Sequence, residues 1–567
     1  MGYGRSCRQP PALCALPTKF SGLSTLIRSA CFRMQNLFHT QRRFGLSIAW
    51  LLTGVLFWLA LNSDDRLYGL TLNTLLLSFA VCCIALPVGT GLAILLVRTD
   101  TWGRRLALAL LGSLLFVPLY LQCAGWQAGF GSQGWYTLIC STLQSPPVLE
   151  GWKGAIWVHS MAAIPWVVII VSASLIFVDA ELEESALLDT QPFQVFLHVT
   201  LPQAASGIYA AFLWVIVSTA SEMTVTDLFM IRTITEDLYT GFYLGDSSLE
   251  SELGWLPCLV LCLALFFTTV LLCERLVPRP WRISASGPLL FRLGRWRLLA
   301  TAAVLLCLLL LAGVPFANLS YKAGVVVDQI GESRVRHWSF WKFLDTVGIN
   351  ANLFRVDRWR YGREIGWSLG IGTLSASAAV ALSIPLAWSA RSRRRGKLLM
   401  VLVIATLLSL PGPVIGQLLI KALNQPEIGV LAWLYDHSIL APWLALFMRC
   451  LPWCLFIVWQ ALRTVSSEPL DVAATEGAGS WTRVLRIAVP QRLPALACAW
   501  VVGLSISLAD LAAVVLVNPP GVDLLSFRIF GLLHAGVEAE VAGICLAHTS
   551  TLMMLMLGSF WAFQRWK

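Results

Sequence analysis

Long apolar runs alternate with short polar segments along most of the chain. A membrane-spanning helix needs about 20 mostly apolar residues, and twelve runs approach or exceed that length. They lie near residues 46–62, 70–97, 104–124, 154–178, 204–222 and 254–276, and then 298–317, 365–390, 398–420, 440–464, 494–517 and 542–564. The pattern predicts an all-α polytopic membrane protein of about twelve transmembrane helices, six in each half.

Composition agrees with this prediction. Of the 567 residues, 57% are hydrophobic and 13% are charged, whereas soluble domains average about 25% charged residues. The net charge of +10 would suggest a nucleic-acid partner in a soluble protein. In a membrane protein an excess of Lys and Arg marks cytoplasmic loops, so we expect lipid and no nucleic acid around this chain.

Clusters of basic residues at the ends of the predicted spans all fall on one side of the membrane. They include Arg42, Arg43, Arg98, Arg104, Arg105, Arg391, Arg393, Arg394, Arg395, Lys397, Arg565 and Lys567. The positive-inside rule therefore places both termini in the cytoplasm. A basic leader (residues 1–40) precedes the first span, and the largest outer loop is expected near 318–364.

One polar segment occurs twice at a constant spacing. The stretch from Glu183 to Asp189 corresponds to the stretch from Asp471 to Gly477 (471 − 183 = 288), and Pro202 corresponds to Pro490 at the same offset. Further pairs are Pro165-Trp166 with Pro452-Trp453 (452 − 165 = 287), Gly103 with Gly396 and Pro118 with Pro411 (411 − 118 = 293). These matches predict a duplicated chain with halves at 41–278 and 298–567, joined by a basic linker at 279–297. Because each half has an even number of spans, the repeat is parallel.

The two polar segments, 179–203 and 466–491, resemble the cytoplasmic EAA loop of binding-protein-dependent ABC importer permeases. In that family the loop forms a short coupling helix that docks onto an ATP-binding subunit. The resemblance implies a fused two-half inner-membrane permease with two ABC ATPase subunits, an extracytoplasmic solute-binding protein and a small solute or ion as cargo. Carried over by position, the coupling residues are Glu183, Glu184, Ala186, Asp189, Leu201, Pro202, Asp471, Ala473, Gly477, Val489 and Pro490.

The first copy departs from the pattern, since Asp189 stands where the second copy has Gly477. Asp tolerates a left-handed backbone better than most residues with a Cβ. A tight turn is therefore expected to survive at Asp189, although the departure leaves the geometry of the first loop open.

Acidic residues follow each loop within the apolar field. Glu222 and Asp510 share the offset of the loops (510 − 222 = 288), and Asp227 lies nearby. Ionisable residues within spans usually face a polar pathway, so this set is predicted to line the outer entrance and to favour a cation. The alternative is that the carboxylates are helix-end groups that accept hydrogen bonds from loop backbone.

Among fused permeases the chain looks most like the iron(III) type, with thiamine, sulfate, spermidine and phosphonate permeases as alternatives. A G-x-x-x-x-G-K-S/T phosphate loop is not found in the sequence, so ATP hydrolysis is expected on partner subunits, and no enzymatic activity or cofactor is assigned to this chain. A secondary transporter of the major facilitator type also has two parallel six-span halves. A membrane-embedded enzyme that uses Asp328, Asp345 and Asp357 of the outer loop is a third interpretation.

Overall fold

The computed structural model describes residues 65–140, 147–243, 289–330, 333–348, 361–392, 394–425 and 427–565. The named elements of the first half are all helices. Its α-helices are Asp65–Arg98, Arg104–Leu114, Leu119–Phe130, Trp135–Cys140, Gly151–Ile176, Ala180–Leu187, Pro192–Val195, Leu201–Ala220, Thr224–Leu228 and Ile234–Tyr243. A π-helical turn, Phe196–Thr200, joins Pro192–Val195 to Leu201–Ala220.

The second half repeats this layout and adds a small hairpin. Its α-helices are Arg297–Leu308, Val314–Gly324, Phe340–Thr346, Gly362–Ser392, Arg394–Ser409, Gly412–Leu423, Gly429–His437, Leu440–Arg463, Glu468–Thr475, Ser480–Arg483, Val489–Gln491, Leu493–Ala509, Leu525–His534 and Ala539–Arg565. Gly294–Trp296 forms a 3₁₀ turn, and Leu309–Gly313 and Val484–Ala488 form π-helical turns. Strands Val325–Ile330 and Ser333–Trp338 pair antiparallel, with Val325 opposite Trp338.

The described residues confirm an all-α polytopic membrane protein. Seven helices are long and apolar enough to cross a membrane, and the number rises to ten if each of three bent pairs is one span. The predicted spans at 46–62 and 254–276 lie outside the described residues, so the count of twelve stays a prediction.

The third predicted span of each half is not straight. Arg104–Leu114 meets Leu119–Ile139 at 102°, and Arg395–Ser409 meets Gly412–Leu423 at 105°. In both halves the break falls at the aligned proline, because Pro118 and Pro411 each stand immediately before the second helix in an extended conformation. Proline lacks the N–H that a continuous helix needs and clashes with the preceding turn. Pro165 and Pro452, by contrast, lie inside continuous helices.

The two halves pack against each other closely. Val314–Gly324 of the second half lies against Leu119–Phe130 of the first, and a Cβ on Gly125 would come within 2.7 Å of the Pro315 side chain. The buried Asn318 amide donates to the Gly125 carbonyl oxygen (3.0 Å) and accepts from the Trp135 indole (3.1 Å). A buried amide must find such partners, so Asn318 fixes the register of this contact.

The predicted outer loop is partly folded. The helix that precedes it continues to Gly324, beyond the predicted start at residue 318, and is followed by the hairpin and by Phe340–Thr346. His337 Nδ1 lies 3.3 Å from Asp328 Oδ2, and Asp357 lies outside the described residues. Within the described ranges, no three His, Cys, Asp or Glu side chains are grouped as a metal site would require.

Candidate functional site

The first loop forms the predicted short helix, Ala180–Leu187. Asp179 stands before it, and its carboxylate accepts a hydrogen bond from the Glu181 N–H (3.2 Å). This is the usual N-terminal cap. Glu181 and Glu183 in the first turn suit the positive end of the helix dipole, so the helix begins where the sequence places its acidic residues.

Glu183 points into the protein. Its side chain is fully buried and pairs with the equally buried Arg98, whose Nη1 lies 2.9 Å from Glu183 Oε2. The Thr200 hydroxyl donates to the other carboxylate oxygen over 2.5 Å. Both charges are removed from water. Loss of one partner would leave the other charge buried without compensation, and this would destabilise the fold.

The end of the interhalf linker is held at the same place. Arg98 Nη1 also donates to the Leu289 carbonyl oxygen (3.3 Å), and the Phe291 N–H donates to the Arg98 carbonyl oxygen (2.8 Å). The Leu293 N–H donates to Asp100 Oδ1 (3.0 Å) and, with the nearby Arg297, holds the pKa of the Asp100 carboxyl below its ordinary value. Arg98 therefore joins the first loop to the segment that leads into the second half.

The second loop helix, Glu468–Thr475, is arranged differently. Asp471, the counterpart of Glu183, is exposed. Arg391, which corresponds to Arg98 (391 − 98 = 293), donates to the Leu462 and Val465 carbonyl oxygens over 2.8 and 3.0 Å. Ala488 stands where the first half has Thr200 (488 − 200 = 288) and has no hydroxyl to offer a carboxylate.

The turns that end the two loop helices also differ. Gly477 has a φ of +81°, the Ala478 N–H donates to the Ala473 carbonyl oxygen (2.9 Å), and the Gly477 N–H donates to that of Ala474 (3.1 Å). This is the Schellman pattern of a helix C-terminus. A tight turn is present at Asp189, but its backbone is not left-handed, because Met230 is the single non-glycine residue with positive φ in the described chain.

The first loop turns instead through the carbonyl oxygen of Ala186. It accepts hydrogen bonds from the Asp189 N–H (3.2 Å), the Thr190 N–H (3.0 Å) and the Thr190 hydroxyl (3.0 Å). A hydroxyl that bonds the preceding turn gives the backbone an ending that does not need glycine.

Each loop contains a π-helical turn after its short helices, at the same repeat position, Phe196–Thr200 and Val484–Ala488 (484 − 196 = 288). Such turns are rare and are frequent at functional sites. Next to them lie large exposed apolar side chains in matched pairs, Phe193 with Trp481 and Leu197 with Leu485. The predicted positions Leu201, Pro202, Val489 and Pro490 follow the π turns directly. The described loops thus present the same apolar positions in both halves.

The helix after the second loop is bent, whereas its counterpart is not. Pro192–Ala220 is continuous over 29 residues, but Ser480–Gln491 and Leu493–Ala509 meet at 81°. The second half has Pro494 where the first half has Ser206 (494 − 206 = 288). Pro494 falls in the first turn of Leu493–Ala509, where its missing N–H costs little, so the chain breaks at Arg492.

Glu222 and Asp510 lie just beyond the ends of their helices, which stop at Ala220 and Ala509. Glu222 accepts hydrogen bonds from the Thr224 N–H (2.8 Å), the Thr224 hydroxyl and the Val225 N–H (3.1 Å). Asp510 accepts from the Ala513 N–H (3.0 Å) and pairs with Arg449 Nε at 2.6 Å. These contacts favour the helix-end interpretation over the pathway interpretation.

Asp227 pairs with a residue of the other half. His534 Nε2 lies 3.0 Å from Asp227 Oδ2, and His534 Nδ1 lies 3.0 Å from the Phe530 carbonyl oxygen. The hydrogen bond to Asp227 raises the pKa of His534 above its ordinary value. Glu222 and Asp510 thus accept hydrogen bonds from nearby backbone, whereas Asp227 pairs with a histidine of the other half. Each of the three carboxylates has a hydrogen-bond partner within the protein.

Three tryptophans of the long helices meet, of which Trp166 and Trp453 lie in the middle of their helices and Trp214 lies in the last third of its own. Trp166 and Trp453, which are equivalent in the repeat, have ring centroids 5.4 Å apart, and Trp214 lies 4.9 Å from Trp166 and 5.6 Å from Trp453. Equivalent residues touch each other only beside the axis that relates the two copies. We call Trp166, Trp214 and Trp453 the axial tryptophan cluster.

Several residues of this arrangement were not predicted from the sequence, namely Arg98, Thr200, Arg391 and Arg449. One signal was available, because Arg98 and Arg391 share the 293-residue offset of the glycine and proline pairs. Their contacts could not be predicted from this offset, because Arg98 binds a carboxylate in the first half whereas the equivalent Arg391 binds backbone carbonyl groups in the second.

Comparison with known proteins agrees with the repeated loops. Residues 379–563 match the family of binding-protein-dependent transport system inner membrane components. The second half of the chain is thus similar to that permease family. The matched range contains Arg391, the second loop, Trp453 and Asp510.

The curated relatives match the chain over a shorter range than the family does. The spermidine/putrescine transport system permease protein PotC of Escherichia coli is 29% identical over 102 residues, which is 18% of this chain and 39% of the relative. A putative 2-aminoethylphosphonate transport system permease protein, PhnV of Salmonella paratyphi A, is 30% identical over 100 residues, 18% of this chain and 38% of the relative. PotC of Haemophilus influenzae is 33% identical over 92 residues, 16% and 36%. The chain thus matches less than two fifths of each relative's length, and these relatives lend no support to iron(III) as cargo.

Proposed function

We propose that this chain forms the translocation path of an ATP-driven importer and couples it to two ABC ATPase subunits through the loops at 179–203 and 466–491. The observation that carries the proposal is the repetition of the loop helix, the π turn and the exposed apolar residues at one offset in both halves. A surface that occurs twice at matching positions suits two copies of one partner.

The loops are also connected to the centre of the molecule. The first loop leads through its π turn into the helix of Trp214, and the second loop follows the helix of Trp453. Because Trp214 and Trp453 lie on the helices attached to the loops, a change of angle at the loops would move the indoles relative to one another. Sites in duplicated transporters lie near the midplane at the repeat interface.

The cargo that we propose is a solute with a primary ammonium group. Spermidine, putrescine and 2-aminoethylphosphonate, which appear in the relatives' names, share that group. Indole faces attract cations within about 6 Å of the ring centroid. The axial tryptophan cluster would offer three such faces if the halves separate.

The remaining partners follow from the same proposal. We place the chain in the inner (plasma) membrane with both termini and both loops in the cytoplasm, and we expect an extracytoplasmic solute-binding protein to deliver the cargo. ATP hydrolysis belongs to the ATPase subunits.

Uptake in proteoliposomes tests the proposal. The chain is reconstituted with candidate ABC ATPase and solute-binding subunits, and accumulation of radiolabelled spermidine, putrescine and 2-aminoethylphosphonate is measured with and without ATP inside. We expect ATP-dependent uptake of at least one of the three. Asp471→Ala, which removes the exposed carboxylate of the second loop, should lower it strongly in a complex that still assembles.

Two other outcomes would contradict all or part of the proposal. If uptake needs no ATPase and follows a proton or sodium gradient, the chain is a secondary transporter and the proposal is wrong. If uptake is driven by ATP but only sulfate or thiamine is carried, the coupling proposal holds and the ammonium proposal fails.

A further inference from the structure

We propose that the two coupling loops have different roles: the first is anchored inside the permease by its acidic residue, and only the second presents that residue to an ATPase. This inference rests on the proposed function for the identity of the partner. It concerns the position shared by Glu183 and Asp471, at which a symmetric permease would have two equivalent contacts.

The anchoring of the first loop has three parts. Glu183 is fully buried, Arg98 neutralises it at 2.9 Å, and Thr200 donates to its second oxygen. No solvent-facing part of Glu183 remains for a partner to contact. The carboxylate therefore holds the loop helix to the end of Asp65–Arg98 and to the start of Leu201–Ala220.

Each part of this anchor is changed in the second loop. The carboxylate is one methylene shorter at Asp471, the hydroxyl is missing at Ala488, and Arg391 is directed to the carbonyl oxygens of Leu462 and Val465. Asp471 still acts electrostatically on Arg391, but it is exposed at the first turn of its helix. An exposed carboxylate on a docking helix can form a charge-assisted hydrogen bond with a basic group of a partner.

The permease by itself tests the anchoring. In lipid nanodiscs, Glu183→Gln should lower the Tm by roughly 5 °C or more, because it leaves Arg98 buried without a counter-charge. The matched control is Glu184→Gln, which changes an exposed neighbour. Asp471→Asn and its control Glu476→Gln should leave the Tm unchanged. An unchanged Tm in Glu183→Gln would overturn the anchor.

Binding of the ATPase tests the second half of the inference. The probe is the purified ABC ATPase that supports uptake by the wild-type chain. We expect Asp471→Asn to weaken its binding about tenfold, Glu476→Gln to leave binding unchanged, and Thr200→Ala to leave it within about twofold. If Asp471→Asn binds the ATPase as tightly as wild type does, the inference is wrong. It is also wrong if Glu183→Gln loses as much ATPase affinity as Asp471→Asn without a fall in Tm.

A variant that rebuilds the anchor in the second loop provides a second test of the inference. The double variant Asp471→Glu/Ala488→Thr supplies the second loop with the side chains of the first, so we expect a higher Tm and weaker ATPase binding than wild type. A rebuilt loop that binds the ATPase as wild type does would contradict the inference. If no ATPase binds even the wild type, the proposed function fails and the ATPase contact fails with it, while the Tm series still decides the anchoring.

Discussion

The Trp166 and Trp453 rings lie 5.4 Å apart, and the two residues are equivalent in the duplicated sequence. This contact marks the axis between the halves at the middle of the helices Gly151–Ile176 and Leu440–Arg463. With Trp214 it forms the axial tryptophan cluster, at which we propose that the path between the halves is closed.

Removal of the axial indoles should open that path. We expect Trp166→Ala and Trp453→Ala to raise the leak of a small ammonium solute from proteoliposomes several-fold without ATP, and the double variant to raise it further. Deletion of an aromatic ring from a packed cluster leaves a cavity that relaxes only partly. Trp433→Ala, which removes an exposed indole stacked on His437, is the control. If the folded double variant leaks the solute no faster than wild type, the cluster does not close a path.

The turns of the two loops should respond differently to exchange of their residues. Gly477→Asp places a Cβ at a φ of +81°, which costs about 1–2 kcal/mol of stability. Asp189→Gly should bring no gain, because Asp189 has no left-handed backbone to relieve, and should cost about 0.5 kcal/mol through greater freedom of the unfolded chain. Hydrogen exchange of the two loop helices measures both effects. Increased protection of Ala180–Leu187 in Asp189→Gly would show that its turn is strained.

The bend at Arg492 should depend on Pro494. In Pro494→Ser, we expect the spin-label distance between positions 481 and 497 to lengthen from roughly 18 Å to roughly 24 Å, the length of a straight helix of that span. The reciprocal variant Ser206→Pro, labelled at positions 193 and 209, should shorten its distance. Measurements use a background with the exposed cysteines replaced. An unchanged distance in Pro494→Ser would assign the bend to packing rather than to proline.

The contact between Asp227 and His534 should make stability depend on pH. Because the hydrogen bond to Asp227 raises the pKa of His534, its contribution is complete below the ordinary histidine pKa of about 6.5 and is lost as the pH rises through the higher folded value. The carboxylates of Glu222 and Glu236 also act electrostatically with Asp227.

The measurement is the Tm of wild type and of His534→Gln between pH 5.5 and 8.5. We expect the difference to be largest at low pH and to shrink as the pH rises, and Asp227→Asn should remove its pH dependence. His437→Gln changes an exposed imidazole that stacks on Trp433 and serves as the control. A difference that grows with pH would assign another role to His534.

The sequence predicted the loops because their information is local and repeated. An acidic first turn and a proline at fixed spacing, with a glycine between them in the second copy, favour a helix, a turn and a restart, and the recurrence at one offset strengthens the prediction. The apolar runs predicted the spans for the same reason, although aligned prolines broke two of them by more than 100°. Those breaks could be anticipated as kinks, but the size of the bend depends on what packs beside it.

Side-chain partners could not be predicted, since they join residues that are far apart in the chain. Arg98 and Glu183 are 85 residues apart, and Asp227 and His534 are 307 apart. Nothing in the spacing distinguishes a carboxylate that lines a path from one that accepts backbone hydrogen bonds, so Glu222 and Asp510 were open to both interpretations.

The sequence by itself determined an all-α membrane protein, its duplication and the positions of two polar loops, because hydrophobic length and internal repetition are properties of the chain. The tertiary structure alone decided that Glu183 is buried while Asp471 is exposed, and that Trp166 meets Trp453 on the axis. Burial and contact depend on how helices pack, and in this chain small differences, such as Thr200 against Ala488 and Ser206 against Pro494, give two similar sequences different surroundings.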